Sequence, residues 1–166
     1  MQRGRIKPML TKEYIYNLLE AVCDPEVPVL TVLDLGIVRD VRIAEDVVEV
    51  DITPTYSGCP AMNTIATNLK FELIAHGIKN VVVREVLSPA WTTDWMSDAG
   101  KQKLIDYGIA APQYKIKDNP FNEAKVPCPR CKSSDTKLLS AFGSTSCKSM
   151  YQCKDCLEAF DYFKCH

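Results

Sequence analysis

The sequence predicts an α+β fold: a small sheet with covering helices in the order α-β-β-α-β-α, followed by a β-rich C-terminal module built around cysteine. Three observations carry that prediction. Apolar residues recur at helical spacing in three stretches, and short runs between them have the composition and alternation of strands. Six of the eight cysteines cluster between Cys128 and Cys165. At 166 residues the chain has room for one sizeable core and one small module.

In LTKEYIYNLLEAVCDPE, Thr11 is a candidate N-cap, and Ile15, Leu18, Leu19 and Val22 make one apolar stripe that Pro25 stops. Cys23 beside Val22 reads as a core thiol. GIVRDVRIAEDVVEVDITPT reads as a β-hairpin turning at Ala44-Glu45-Asp46, with Val48, Val50 and Ile52 alternating with Glu49 and Asp51. A second helix starts near Pro60, buries Met62, Ile65, Leu69 and Leu73, and ends at Gly77. KNVVVREVL is a third strand, and WTTDWMSDAGKQKLIDYG carries a third helix from near Trp95 to Gly108. The expected division is a domain over 1–108, a linker or surface-hugging loop over 109–126, where Pro112 and Pro120 stand among polar residues, and a module over 127–166.

That last module is too small to be held by a core alone and needs a staple. Cys128-Pro-Arg-Cys131 and Cys153-Lys-Asp-Cys156 are two C-x-x-C knuckles 21 residues apart. Each aims two thiolates at one centre, and four thiolates close a tetrahedral Zn²⁺ site with no open position, hence a structural one. An iron–sulfur cluster on the same ligands is the alternative. Between and after the knuckles, DTKLLSAF, CKSMYQC and EAFDYFKC supply three strands of a ribbon. Cys147 and Cys165, the latter beside His166, are extra thiols, either spare or part of a second metal site. The aromatic residues Tyr151, Phe160, Tyr162 and Phe163 suit a small core or a partner protein.

Net charge is −1, which gives no basic field for nucleic acid or an anionic membrane. No apolar run reaches membrane-spanning length and no secretory signal follows the basic start MQRGRIKPML, so a cytoplasmic protein is expected.

One cysteine stands apart. In TYSGCPA, Cys59 lies between Gly58 and Pro60 at a helix entrance, where unpaired N–H groups and the helix dipole would lower a thiol pKa. A small, inert buried cap is the competing reading. His76 is at the far end of the same helix, over ~20 Å away by helical rise, so a cysteine-hydrolase dyad is disfavoured. Asp24, Glu26 and Asp34 could shape a pocket with Thr55, Ser57 and Cys59 if the loops converge at one edge. Their alternative roles are a turn at Asp24-Pro25 and a cap at Asp34.

DPEVPVLTVLDLGIV followed by TPTYSGCPA resembles the signature of the SufT-like iron–sulfur assembly factors, over about residues 10 to 90. With the downstream PAWTTDWMSDAGKQKLIDYGIAAP and the cysteine-rich end, the whole chain resembles the D components encoded with bacterial phenylacetyl-CoA ring epoxidases. The resemblance implies an accessory maturation factor in phenylacetate breakdown, with Cys59 as transient ligand for iron or an iron–sulfur cluster and Asp24, Glu26, Asp34 and Thr55 at the other signature positions. It implies as partners the epoxidase's reductase, with its [2Fe–2S] cluster, or its di-iron oxygenase. The chain carries no nucleotide-binding glycine pattern, di-iron constellation or ferredoxin cysteine pattern, in keeping with a non-catalytic role. One thiolate cannot hold a cluster, so a client or a second protomer, in a homodimer around paired Cys59 loops, would supply the other ligands. Two further readings stand beside this one: a stoichiometric structural subunit of the monooxygenase, and, more weakly, a zinc-ribbon nucleic-acid regulator.

Overall fold

The computed structural model describes residues 10–112 and 126–164. The basic N-terminal stretch, most of the expected linker (113–125), Cys165 and His166 lie outside the described residues.

Helix α1 spans Lys12–Leu19, and the Thr11 hydroxyl caps it by accepting the Tyr14 N–H. Ile15 and Leu19 are fully buried. The helix stops well before Pro25. The chain then folds back on itself, with Val32 N–H donating to the Val22 carbonyl and Asp24 N–H to that of Leu30. Val22 therefore reaches the core from extended backbone, which a helical stripe mimics. Cys23, expected in the core, is exposed, because neighbours in an extended segment point to opposite sides.

Strands β1 (Val38–Ala44) and β2 (Val47–Ile52) form the expected hairpin, with Glu45 in the left-handed region at the turn (φ 52°). Helix α2 (Ala61–Ala75) crosses over to β3 (Asn80–Glu85), which pairs parallel to β2, giving the order β1-β2-β3. Val41, Val48, Val50 and Ile52 meet Ile65, Leu69 and Leu73 in one core. The second and third helices close alike. Gly77 (φ 87°) and Gly108 (φ 90°) take the left-handed position, and the next N–H reaches back to Leu73 O and Leu104 O.

The third helix starts later than expected. Thr93–Trp95 forms one 3₁₀ turn, Met96 is extended, and α3 runs Asp98–Asp106 behind Ser97, whose hydroxyl accepts the Gly100 N–H. Trp95 is pressed on Gly36, where the chain has φ 66° and an added Cβ would stand 2.2 Å from the Trp95 carbonyl oxygen. Gly36→Ala should cost about 2–4 kcal/mol, from left-handed strain and overpacking together. Denaturant unfolding that shows an unmoved midpoint would contradict this close approach.

The C-terminal module is an antiparallel meander of β4 (Thr136–Ser140), β5 (Lys148–Cys153) and β6 (Ala159–Phe163). Tyr151 stacks on Phe160 and meets Tyr162 edge-on, over a small core with Ala110, Val126, Cys128 and Cys153. Ile109, Ala110 and Ala111 are buried, and Ala110 pairs with β6 through Ala110 N–H to Asp161 O and Phe163 N–H to Ala110 O. Phe163 leaves the ribbon's own core and enters that of the first domain, its ring 6.2 Å from Trp91 in a T-shaped contact. Among the described residues no helix is long and apolar enough to cross a membrane.

Candidate metal-handling site

Cys59 stands one residue before Pro60, which opens α2. Gly58 (φ 77°) turns the loop, Cys59 N–H donates to Tyr56 O, and Met62 N–H donates to Cys59 O. The half-buried sulfur accepts from the Ala61 N–H and the Tyr56 hydroxyl, so helix-start donors do face it. The thiol is nevertheless pushed above its ordinary value, contrary to the expectation. Burial outweighs the two donors, and the carboxylates of Glu26 and Asp24 add to it. The same burial, with Cys59 beside it, keeps the Tyr56 hydroxyl protonated.

The D-P-E turn brings two carboxylates within electrostatic reach of that sulfur. Asp24 Oδ1 accepts the N–H groups of Glu26 and Val27, both at 2.8 Å, the side-chain turn that Asp before Pro favours. Asp24 is buried, which raises its carboxyl against those two bonds and against nearby Lys148. Thr55 and Ser57 lie on the Cys59 loop, half-buried and exposed respectively.

Asp34 is employed elsewhere. It accepts from Thr31 N–H (3.0 Å), the Ser97 hydroxyl (3.0 Å) and Lys103 Nζ (2.6 Å), which hold it below the usual carboxylate range against the effect of burial. With Glu20, Thr31, Ser97 and Lys103 it lines a separate cavity of about 370 Å³. Its strand-entrance position thus ties α3 to the loop before β1, the capping role weighed against the pocket role.

The ribbon reaches the same turn, which no local pattern announces. The Cys147 thiol donates to Glu26 Oε2 at 3.6 Å, and buried Lys148 reaches the Glu26 carbonyl at 3.5 Å and Asp161 at 3.9 Å. Burial pushes the Cys147 thiol up to about 11. Tyr56 adjoins Cys59 in sequence and could have been suspected. Lys148 could not.

At the far end of the ribbon, the sulfurs of Cys128, Cys131, Cys153 and Cys156 all lie within 4.8 Å of one another. Cys128–Cys156 is 3.7 Å and Cys131–Cys153 is 3.5 Å. Zn–S bonds of about 2.3 Å at tetrahedral angles put sulfurs about 3.8 Å apart, so the four thiols fit a single ion. A cluster spreads the four thiolates over two or four irons and so sets some or all of them further apart. The N–H of Cys156, with that of Asp155, holds the Cys153 thiol down to about 7, while burial and the neighbouring thiols push those of Cys131 and Cys156 up.

Fold and site together define an iron–sulfur assembly domain carrying a zinc ribbon. Residues 12–86 match the family described as iron–sulfur cluster assembly protein, and residues 113–164 match the PaaD zinc beta ribbon domain. Over 99% of both chains the protein is 44% identical to the D component of the "Putative 1,2-phenylacetyl-CoA epoxidase" of Escherichia coli (strain K12). The chain belongs to the PaaD family. A Porphyromonas gingivalis protein called "Fe-S protein maturation auxiliary factor" is 34% identical over 57% of this chain and 90% of its own. The crystal structure of a domain of unknown function, DUF59, from Bacillus anthracis superposes with a TM-score of 0.52 at 31% identity, over 56% of this chain and 90% of that one.

Proposed function

We propose that this chain is an accessory maturation factor for a phenylacetyl-CoA epoxidase, assisting insertion of iron or an iron–sulfur cluster through Cys59. The observation that carries this reading is the setting of that thiol. It is half-buried at a helix start, flanked by Glu26 and Asp24, with the Ala61 N–H and the Tyr56 hydroxyl donating to its sulfur. Such a sulfur is suited to trade its proton for a metal ion and to release that ion again. The family match on the first domain is to iron–sulfur assembly, and the whole-length relative bears the name of an epoxidase component.

In this proposal residues 1–108 handle the cargo, 109–126 connect, and 127–166 form the ribbon, with Zn²⁺ on Cys128, Cys131, Cys153 and Cys156 as a structural staple. The protein assists a cytoplasmic monooxygenase without catalysing the oxidation. Its client is the [2Fe–2S] reductase or the di-iron oxygenase. The relative's name favours one other reading, a stoichiometric structural component.

The test is the iron and acid-labile sulfide content of the reductase and oxygenase, purified from cells carrying the native chain or Cys59→Ser. One component should lose most of its metal at unchanged protein level. Full metal occupancy of both components would sink the maturation role and leave the structural one.

A further inference from the structure

The ribbon's contact with the D-P-E turn bears on how a single thiolate could hold its cargo. Cys147 is only 3% exposed and belongs to the core of the first domain, although it is encoded in the ribbon, before β5. Its sulfur points at the carboxylate of the D-P-E turn, 3.6 Å from Glu26 Oε2. The placement is held on several sides. Phe163 packs edge-on against Trp91, Ala110 is paired with β6, Lys164 N–H donates to the Cys147 carbonyl, and Lys148 Nζ reaches the Glu26 carbonyl. Glu26 in turn contacts Cys147 and lies within electrostatic reach of Cys59.

We propose that Cys147 is a second thiolate ligand for the cargo, so that a thiophilic divalent cation is received between Cys59, Glu26 and Cys147 of one chain. This rests on the reading of Cys59 given above and deepens it, since the second sulfur comes from the ribbon and not from a second protomer. Two thiolates and the Glu26 carboxylate carry three negative charges, of which a divalent ion offsets two, and Lys148, shared with Asp161, stands beside them. Sulfur with one carboxylate suits ferrous iron or its analogues better than magnesium or calcium.

Among the described residues the four ribbon thiols are the group whose ligand atoms already gather for a metal ion, so in this proposal the Cys59 side chain moves toward the Cys147–Glu26 pair when the ion arrives. Each thiol then gives its proton to solvent. One movable ligand on a fixed pair gives a site that can let go, as a carrier must.

The test uses the full chain with zinc already in the ribbon, titrated anaerobically with Co²⁺ alone and followed by its sulfur-to-cobalt charge-transfer bands. The native protein should take up one Co²⁺ with the band intensity of two thiolates. Cys59→Ser, Cys147→Ser and Glu26→Gln should each weaken binding at least about 10- to 100-fold, the loss that even outer-shell partners can cause. Thermal unfolding before cobalt addition identifies a variant that fails to fold, and the thiolate count of the native spectrum then decides alone. A one-thiolate native spectrum, or Cys147→Ser binding as the native does while Cys59→Ser binds nothing, overturns the inference and leaves Cys59 as a single ligand. No cobalt uptake by the native chain overturns the composite site, while the client's iron content still judges the maturation role separately.

Discussion

Cys128→Ser should unfold the ribbon. Among the described residues the module's own core is Ala110, Val126, Cys128, Cys153, Phe160 and Tyr162, and two of those are thiols of the four-cysteine cluster. A module of about 40 residues rarely folds without a metal, disulfides or a partner. Structural zinc contributes about 10–16 kcal/mol to folding in comparable small modules at neutral pH, far more than such a core. Cys128 is the ligand to remove because it is fully buried and its backbone anchors the first knuckle, with Lys132 N–H donating to its carbonyl and its own N–H to Ser133 O. The near-ultraviolet dichroism of the Tyr151–Tyr162 cluster should collapse, zinc content should fall, and a chelator should reproduce both effects in the native chain. The helices of the first domain should survive, with a lowered midpoint, because they lose the packing of Phe163 and Cys147. An ordered tyrosine signal in the zinc-free variant would mean that the ribbon is held by its docking and not by metal.

What the sequence made legible was whatever local chemistry specifies. Alternation in β2 puts Val48, Val50 and Ile52 inside, the spacing of Met62, Ile65, Leu69 and Leu73 gives α2 its buried face, and Gly77 and Gly108 mark helix ends. Paired knuckles supply the four thiols. The misses have one origin, which is that a periodic stripe says nothing about long-range pairing. Val22 extends the α1 stripe but is buried from an extended segment, and so the exposed Cys23 reads wrongly as a core thiol. Trp95 sits in a 3₁₀ turn because it must cover Gly36. The Cys59 thiol departs from expectation for a related reason. The helix-start donors are local and visible, whereas the burial and the carboxylates that overrule them come from a loop some 35 residues away. Nothing in the ribbon's own pattern indicates that Cys147 and Lys148 reach that loop.

Trp91→Ala should uncouple the two domains. Trp91 is 4% exposed, donates from Nε1 to the Leu35 carbonyl at 2.8 Å, and meets Phe163 at 6.2 Å with the ring planes 68° apart. Truncating a buried tryptophan costs about 3–5 kcal/mol, and the orphaned Leu35 carbonyl adds about 1–3 kcal/mol unless water reaches it. The consequence reaches the site, because Leu35 adjoins Gly36 in the loop before β1 and Phe163 ends the strand that pairs with Ala110. With the indole gone, the ribbon loses its anchor and Cys147 its fixed distance from Glu26. Native protein should unfold with coincident transitions in helix dichroism and in the tyrosine signal of the ribbon, the mark of one cooperative unit. In Trp91→Ala the helix transition should move to lower denaturant and separate from the ribbon transition, which zinc still protects. Trp91→Phe, which keeps an aromatic ring against Phe163 but loses the donor and part of the ring volume, should fall between the two. Coincident transitions in the alanine variant at an unmoved midpoint would show that the docking rests on the β6 pairing and Lys148, and that Trp91 merely fills space.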